Sequence, residues 1–215
     1  MFCGVDEAGK GAVLGPLVVA AVACRKLKDL DPVPVQDSKT LSPDEREELY
    51  AIITARFPFT TLVIDARDID ILRRCGTMNL VMARAHAAAI KALRPKKAFV
   101  DACDVIAPRY GRTVSACLDF PCRVVAEHHA DENRPVVSAA SIVAKVTRDR
   151  LVRELCLEFG EIGSGYPSDH LTIGFLESYI LAHKRPPSCA RASWQTTRDL
   201  IYRAEQAELD QFFSL

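Results

Sequence analysis

Short apolar runs and helical periodicities alternate along the first two thirds of the chain, and helical patterns alone fill the rest. The opening "FCGVDEAGKG" is a brief apolar run closed by a glycine turn, and "LGPLVVAAVAC" follows as a buried strand, so the two predict a hairpin. Further strands are expected at "TTLVIDA", "KAFVDA" and "CRVVAEH". Between them, Ser42-Pro43-Asp44-Glu45 forms a capping box ahead of the helix "EREELYAIITAR". The alanine-rich "MNLVMARAHAAAIKALR" is helical by propensity and stops before Pro95. In "VVSAASIVAKVTRDRLVRELCLEF", Val136, Ala140, Val143, Thr147, Leu151 and Leu155 recur at helical steps and face a core. "HLTIGFLESYILAHK" and "TTRDLIYRAEQAE" add two more helices. Strands early and helices late predict an α/β sheet domain followed by a helical region.

Composition sharpens this picture in three ways. A hydrophobic content of 49% over 215 residues is enough for a sizeable core. The apolar runs are too short to span a bilayer and no leader pattern opens the chain, so a cytoplasmic protein without membrane contact is expected. Lysine plus arginine equals aspartate plus glutamate at 28 each, so bulk charge selects no partner. Two local basic clusters remain, "KALRPKK" (91–97), which reads as a solvated helix face, and "AKVTRDR" (144–150). Eight cysteines include no Cys-x-x-Cys pair, which argues against a structural zinc site and for small core residues.

Gly4-Val5-Asp6-Glu7-Ala8-Gly9-Lys10-Gly11 meets the spacing of a phosphate-cradling P-loop. The chemistry excludes that reading. Gly11 offers no hydroxyl to magnesium, and Asp6 and Glu7 would repel polyanionic phosphates. Adjacent acids at the end of a buried strand instead call for a cation, and hard oxygen donors select Mg²⁺ or Mn²⁺. Asp101 ends "KAFVD" and Asp131 follows "CRVVAEHHA", so two further predicted strands run out into carboxylates. Acids brought to one sheet edge suit a two-metal phosphodiesterase. A solvated strand end is the alternative for any single acid.

"GVDEAGKG" resembles the signature G-x-D-E-A-G-R-G of type 2 ribonucleases H, the ribonuclease HII family. "DSKTL", "VDACD", "AEHHADE", "SAASIVAKVTRD" and "GSGYPSD" resemble the family's further blocks, in order and across nearly the whole chain. The resemblance implies a ribonuclease-H-like mixed sheet flanked by helices: a catalytic domain over 1–160, a packed helical region over 161–205 and a tail over 206–215. It implies a monomeric endonuclease that acts on RNA/DNA hybrids and 5′ to single ribonucleotides in duplex DNA. The products carry 3′-hydroxyl and 5′-phosphate ends. Asp6, Glu7, Asp101 and Asp131 become catalytic metal ligands, while Gly9, Lys10, Gly11 and Tyr166 sense the 2′-hydroxyl. Lys39 becomes a phosphate contact. Ser141, Lys145 and Arg148 hold the nucleic-acid backbone, with surface charges on a helix as the alternative reading for the two basic residues. Lys10 departs from the family's arginine, which weakens any bidentate phosphate contact there. His128 and His129 are at most neighbours of the site. A catalytically idle hybrid-binding protein is the competing function, and the presence of all four acids speaks against it.

At the other end, Gln206-x-x-Leu209-x-x-Phe212-Phe213 resembles the box that binds the sliding clamp PCNA. A 3₁₀ turn would gather Leu209, Phe212 and Phe213 into an apolar plug beside Gln206. Continuation of the preceding helix, with these rings packed on the body, is the alternative.

Overall fold

The computed structural model describes residues 1–35 and 41–213, and of 207–213 the backbone alone. Lys39, with the Asp37-Ser38 loop before it, lies outside the described residues. All five expected strands form: β1 (Phe2–Ala8), β2 (Leu17–Cys24), β3 (Phe59–Ile64), β4 (Lys97–Asp101) and β5 (Arg123–Glu127). The helices are α1 (Pro43–Arg56), α2 (Ala66–Arg74), α3 (Met78–Leu93), α4 (Ala107–Ala116), α5 (Ala130–Asn133), α6 (Pro135–Phe159), α7 (His170–His183) and α8 (Gln195–Phe213). Among the described residues, no helix is long and apolar enough to cross a membrane.

The strands lie in the order β3-β2-β1-β4-β5. β1 and β2 form the expected antiparallel hairpin, with Phe2 opposite Cys24 and Ala8 opposite Val18. β1 runs parallel to β4, and β4 to β5. Parallel strands end at the same edge, and the register sets Val5 beside Val100 and Asp101 beside Glu127. Asp6 and Glu7 on β1 and Asp101 on β4 are thereby delivered to one edge.

Two compact units interleave along the sequence. One comprises Met1–Ala8, Val18–Val63 and Gly76–Arg148; the other comprises Gly9–Leu17, Ile64–Cys75 and Asp149–Leu215. A sequential reading of the chain cannot show this interleaving. In the first unit, α6 begins directly on β1: a Cβ at Gly4 would lie 2.1 Å from the Val136 carbonyl oxygen. Only a residue without a side chain allows that approach, and the small Ser138, Ala139, Ala140 and Ala144 that follow on the helix are buried as well. Gly111 of α4 similarly packs on Ala126 of β5. The second unit has its own apolar core, built from Val13, Leu14, Val152, Ile162, Leu176, Ile180 and Leu200.

Candidate active site

Successive side chains on a strand point to opposite faces, so Asp6 shares the face of Gly4 toward α6, and Glu7 shares the face of Val5 toward α3. The hydrogen bonds agree. Asp6, 6% exposed, accepts from the Ser141 hydroxyl on α6 and from the Glu7 amide at 2.8 Å. Burial, then the charges of Glu7 and Asp101, push the Asp6 carboxyl well above the usual carboxylate range. Asp101 is raised too, first by burial and then by Glu7 and Asp131, against the lowering effect of the Ala130 amide, which donates to its Oδ1 at 2.8 Å. The acids thus repel one another inside the fold. A divalent cation among oxygen donors relieves that repulsion, so the residues present fit Mg²⁺ or Mn²⁺.

Asp131 sits on α5 rather than at a strand end. His129 takes a left-handed conformation (φ 54°) and starts this short helix two residues after β5. The loop is fixed from both sides: Arg134 donates two bonds to Glu127, at 2.8 and 2.7 Å, and its guanidinium stands 5.1 Å from the Phe99 ring centre. The Ser138 hydroxyl donates to the Asp131 carbonyl. His128 bonds the Val105 carbonyl at 3.2 Å and His129 pairs with Glu132, so neither histidine is drawn to an expected metal ligand by these bonds.

Sequence reasoning missed the groups that hold Glu7. His86 of α3, fully buried, places Nε2 3.1 Å from Glu7 Oε2 and Nδ1 3.1 Å from the Tyr110 hydroxyl. Burial raises the Tyr110 hydroxyl far above its ordinary pKa, so it keeps its proton. A carboxylate only accepts, so His86 Nε2 carries the proton it donates to Glu7 while Nδ1 faces the Tyr110 hydroxyl. Cys103 donates to the other Glu7 oxygen at 3.1 Å. The sequence signal for His86 is weak, a lone histidine among helical alanines, and Cys103 shows only its position two residues past Asp101.

In the second unit, the Gly9 amide donates to the Tyr166 hydroxyl at 3.0 Å, with Gly9 at φ 88°. The loop that follows is gripped by Arg191, which no motif announces. Its guanidinium, 0% exposed, donates to the Gly9, Lys10 and Gly15 carbonyls through four bonds of 2.6 to 3.3 Å and lies 5.0 Å from the Trp194 ring centre. Val13 and Leu14 donate to the Gly165 carbonyl, beside Tyr166. Gly9, Lys10, Gly11 and Tyr166 are therefore parts of one braced loop system.

The basic residues of α6 divide. Ser141 and Lys145 are half-buried. Arg148 is 1% exposed, so the alternative reading of it as a surface charge on a solvated helix face does not hold. The reason is that α6 is enclosed here: Ile142, Val143 and Ala144 are consecutive and all buried, so three directions around the helix are covered. At the C-terminus, the α8 backbone stays helical to Phe213, the continuation read as the alternative to a 3₁₀ turn. Gln206 is exposed; the side chains of Leu209, Phe212 and Phe213 lie outside the described residues.

The family profile described as Ribonuclease HII matches residues 3–197. A ribonuclease HII of Methanoregula boonei is 52% identical over 213 residues, covering 99% of this chain and all of that protein. Two solved structures share the fold closely. The ribonuclease H2 of Pyrococcus horikoshii has a TM-score of 0.88 at 37% identity, with 95% of this chain and 98% of that one covered. The ribonuclease HII in the PCNA:RNase HII complex of Archaeoglobus fulgidus has a TM-score of 0.87 at 44% identity, covering 93% and 96%. With the acids gathered at the edge of a mixed five-stranded sheet and this likeness over its whole length, the chain belongs to the ribonuclease HII family, divalent-metal-dependent endonucleases that hydrolyse the RNA of RNA/DNA hybrids.

Proposed function

We propose that this chain cuts duplex DNA 5′ to a single embedded ribonucleotide, as well as RNA in hybrids, with Asp6, Glu7, Asp101 and Asp131 holding two Mg²⁺ or Mn²⁺ ions. The observation that carries this reading is the buried, mutually repelling carboxylate set, whose leading member Asp6 is pushed well above the usual range. Bound there, divalent cations supply Lewis-acid polarisation of the phosphoryl oxygens. The chain's own residues supply position. Ser141 and the Glu7 amide aim Asp6, the Ala130 amide aims Asp101, and His86 with Cys103 fixes both oxygens of Glu7. Fixed donors of this kind need no reorganisation as charge develops on the scissile phosphate.

Selection of the ribonucleotide falls to the loop after β1. Glycine at positions 9 and 11 lets the backbone approach a ribose closely, and the Tyr166 ring offers a face for the sugar. Arg191 holds the carbonyls of Gly9 and Lys10 whatever the side chain at 10. A backbone-made contact explains why lysine can replace arginine there. Lys145 and Ser141, both partly accessible, meet the nucleic-acid backbone, and Lys39 is assigned the same role by its block. Gln206, Leu209, Phe212 and Phe213 bind a sliding clamp, a reading supported by the sequence box and by the clamp complex of the Archaeoglobus relative. Phe212→Ala with Phe213→Ala then abolishes clamp binding in a pull-down while cleavage of free substrate persists; unfolding of the double variant instead assigns the rings to the core.

Incubation of the protein with a duplex carrying one ribonucleotide tests the main reading. One cut 5′ to that nucleotide, dependent on Mg²⁺ or Mn²⁺ and abolished by chelator, is expected. A cut elsewhere, or one indifferent to chelator, defeats it.

A further inference from the structure

One corner of the carboxylate set is built from donors of a different chemical kind. A Glu7 oxygen, a His86 ring nitrogen and the Cys103 sulfur all lie within 4.8 Å of one another. Cys103 Sγ is 3.1 Å from Glu7 Oε1, and His86 Nε2 is 3.1 Å from Glu7 Oε2. Zinc bonds of about 2.0 to 2.3 Å in tetrahedral geometry set donor atoms roughly 3.5 Å apart, so these separations need only small side-chain adjustments. Carboxylates alone favour Mg²⁺ and Mn²⁺, whereas thiolate and imidazole favour Zn²⁺. The donors come from β1, from α3 and from the loop after β4, which is why no metal-binding spacing is visible in the sequence.

We propose that Glu7, His86 and Cys103 form a zinc site, with a fourth position open to water, and that Zn²⁺ held there withdraws Glu7 from the catalytic set. Zinc is thus an inhibitor whose point of attack is a shared ligand. Its inhibitory half rests on the role assigned to Glu7 above; binding itself does not.

The proton balance closes with groups already in place. The Cys103 thiol releases its proton to solvent as it becomes a thiolate. His86 carries its proton on Nδ1 rather than Nε2, and the Tyr110 oxygen accepts it. The Tyr110 hydroxyl, in hydrogen-bond contact with Cys103, donates to the thiolate. Tyr110 serves both arrangements.

Cobalt(II) reports such a site through thiolate-to-metal charge-transfer absorption. On titration of the full-length protein, the absorption should appear in wild type and in Cys75→Ser, which alters an exposed cysteine. It should be absent in Cys103→Ser and bleach when Zn²⁺ is added to wild type. In cleavage assays at fixed Mg²⁺, each protein referred to its own zinc-free rate, half-inhibition of Cys103→Ser should require at least about tenfold more Zn²⁺ than wild type. Absorption that never appears in wild type, or persists in Cys103→Ser, overturns the proposal, as does equal zinc sensitivity. Cys103→Ala provides the same comparison should the serine variant fail to fold. A protein without nuclease activity would defeat the functional reading, and the cobalt absorption would still decide the site.

Discussion

Replacing Arg191 by methionine keeps much of the side chain's bulk and removes its charge and five N–H donors. The Gly15 carbonyl accepts two of the four bonds at 3.3 and 3.1 Å, and leaving a buried carbonyl unpaired costs about 1–3 kcal/mol. The Gly9 carbonyl loses a 2.6 Å bond but keeps one from the Ala12 amide at 3.2 Å, so its loss is smaller. The Lys10 carbonyl, bonded at 3.0 Å in a part-buried setting, can turn to water. Loss of the guanidinium beside Trp194 adds about 0.5–1 kcal/mol. Together these place the destabilisation at about 3 kcal/mol, read as a lower urea midpoint at unchanged slope. Function should fail unevenly. Arg191→Met should lower cleavage at a single ribonucleotide by at least about tenfold relative to cleavage of a long hybrid, because the single site offers one 2′-hydroxyl and the loop proposed to sense it has lost its brace. A variant with the wild-type midpoint and an unchanged ratio of the two activities would refute this account of Arg191.

Three further outcomes follow from single contacts. Gly4→Ala puts a methyl carbon 2.1 Å from the Val136 carbonyl oxygen; stability should fall by about 3 kcal/mol, and an unchanged melting temperature would show that α6 does not start on β1. His86→Phe removes the donor to Glu7, so Mn²⁺ affinity by calorimetry should fall about 10–100-fold, with His86→Gln recovering part of it; equal affinities would make His86 a packing residue only. Asp169 caps α7 and accepts from the Ser164 amide at 2.6 Å, and those amide bonds lower its carboxyl from 3.8 to about 2. A depressed carboxylate stabilises the fold above its unfolded pKa, and that stabilisation is lost as pH falls through the folded value. Asp169→Asn should therefore flatten the acid limb of the stability profile between pH 3.8 and about 2; an unaltered limb refutes the cap's contribution.

Much of this was legible in the sequence because each strand is a short β-branched or apolar run between turn residues. The capping box at Ser42 forms as read, with the Glu45 amide donating to its hydroxyl and the Glu45 carboxylate accepting from its amide. The missed helices had weak signals: "ARDIDILRR" is mostly charged, and "APRYGRTVSA" contains both proline and glycine. The pattern places Asp131 at a strand end whereas it lies on α5, since a left-handed histidine starting a four-residue helix leaves no periodicity. The largest gap concerns residues that act on others. Arg191 and His86 lie far along the chain from the loop and the glutamate they hold, and local pattern contains nothing about which backbone carbonyl or carboxylate a buried side chain will meet.

The central claim is that the four carboxylates act together on a phosphodiester. Single-turnover cleavage of a duplex with one ribonucleotide, comparing wild type with Asp101→Asn under saturating Mg²⁺ and saturating protein, tests it directly. The substitution preserves the acceptor for the Ala130 amide while removing the charge, and the rate constant should fall by at least about a thousandfold with substrate still bound. Cleavage by Asp101→Asn at or near the wild-type rate would contradict the account.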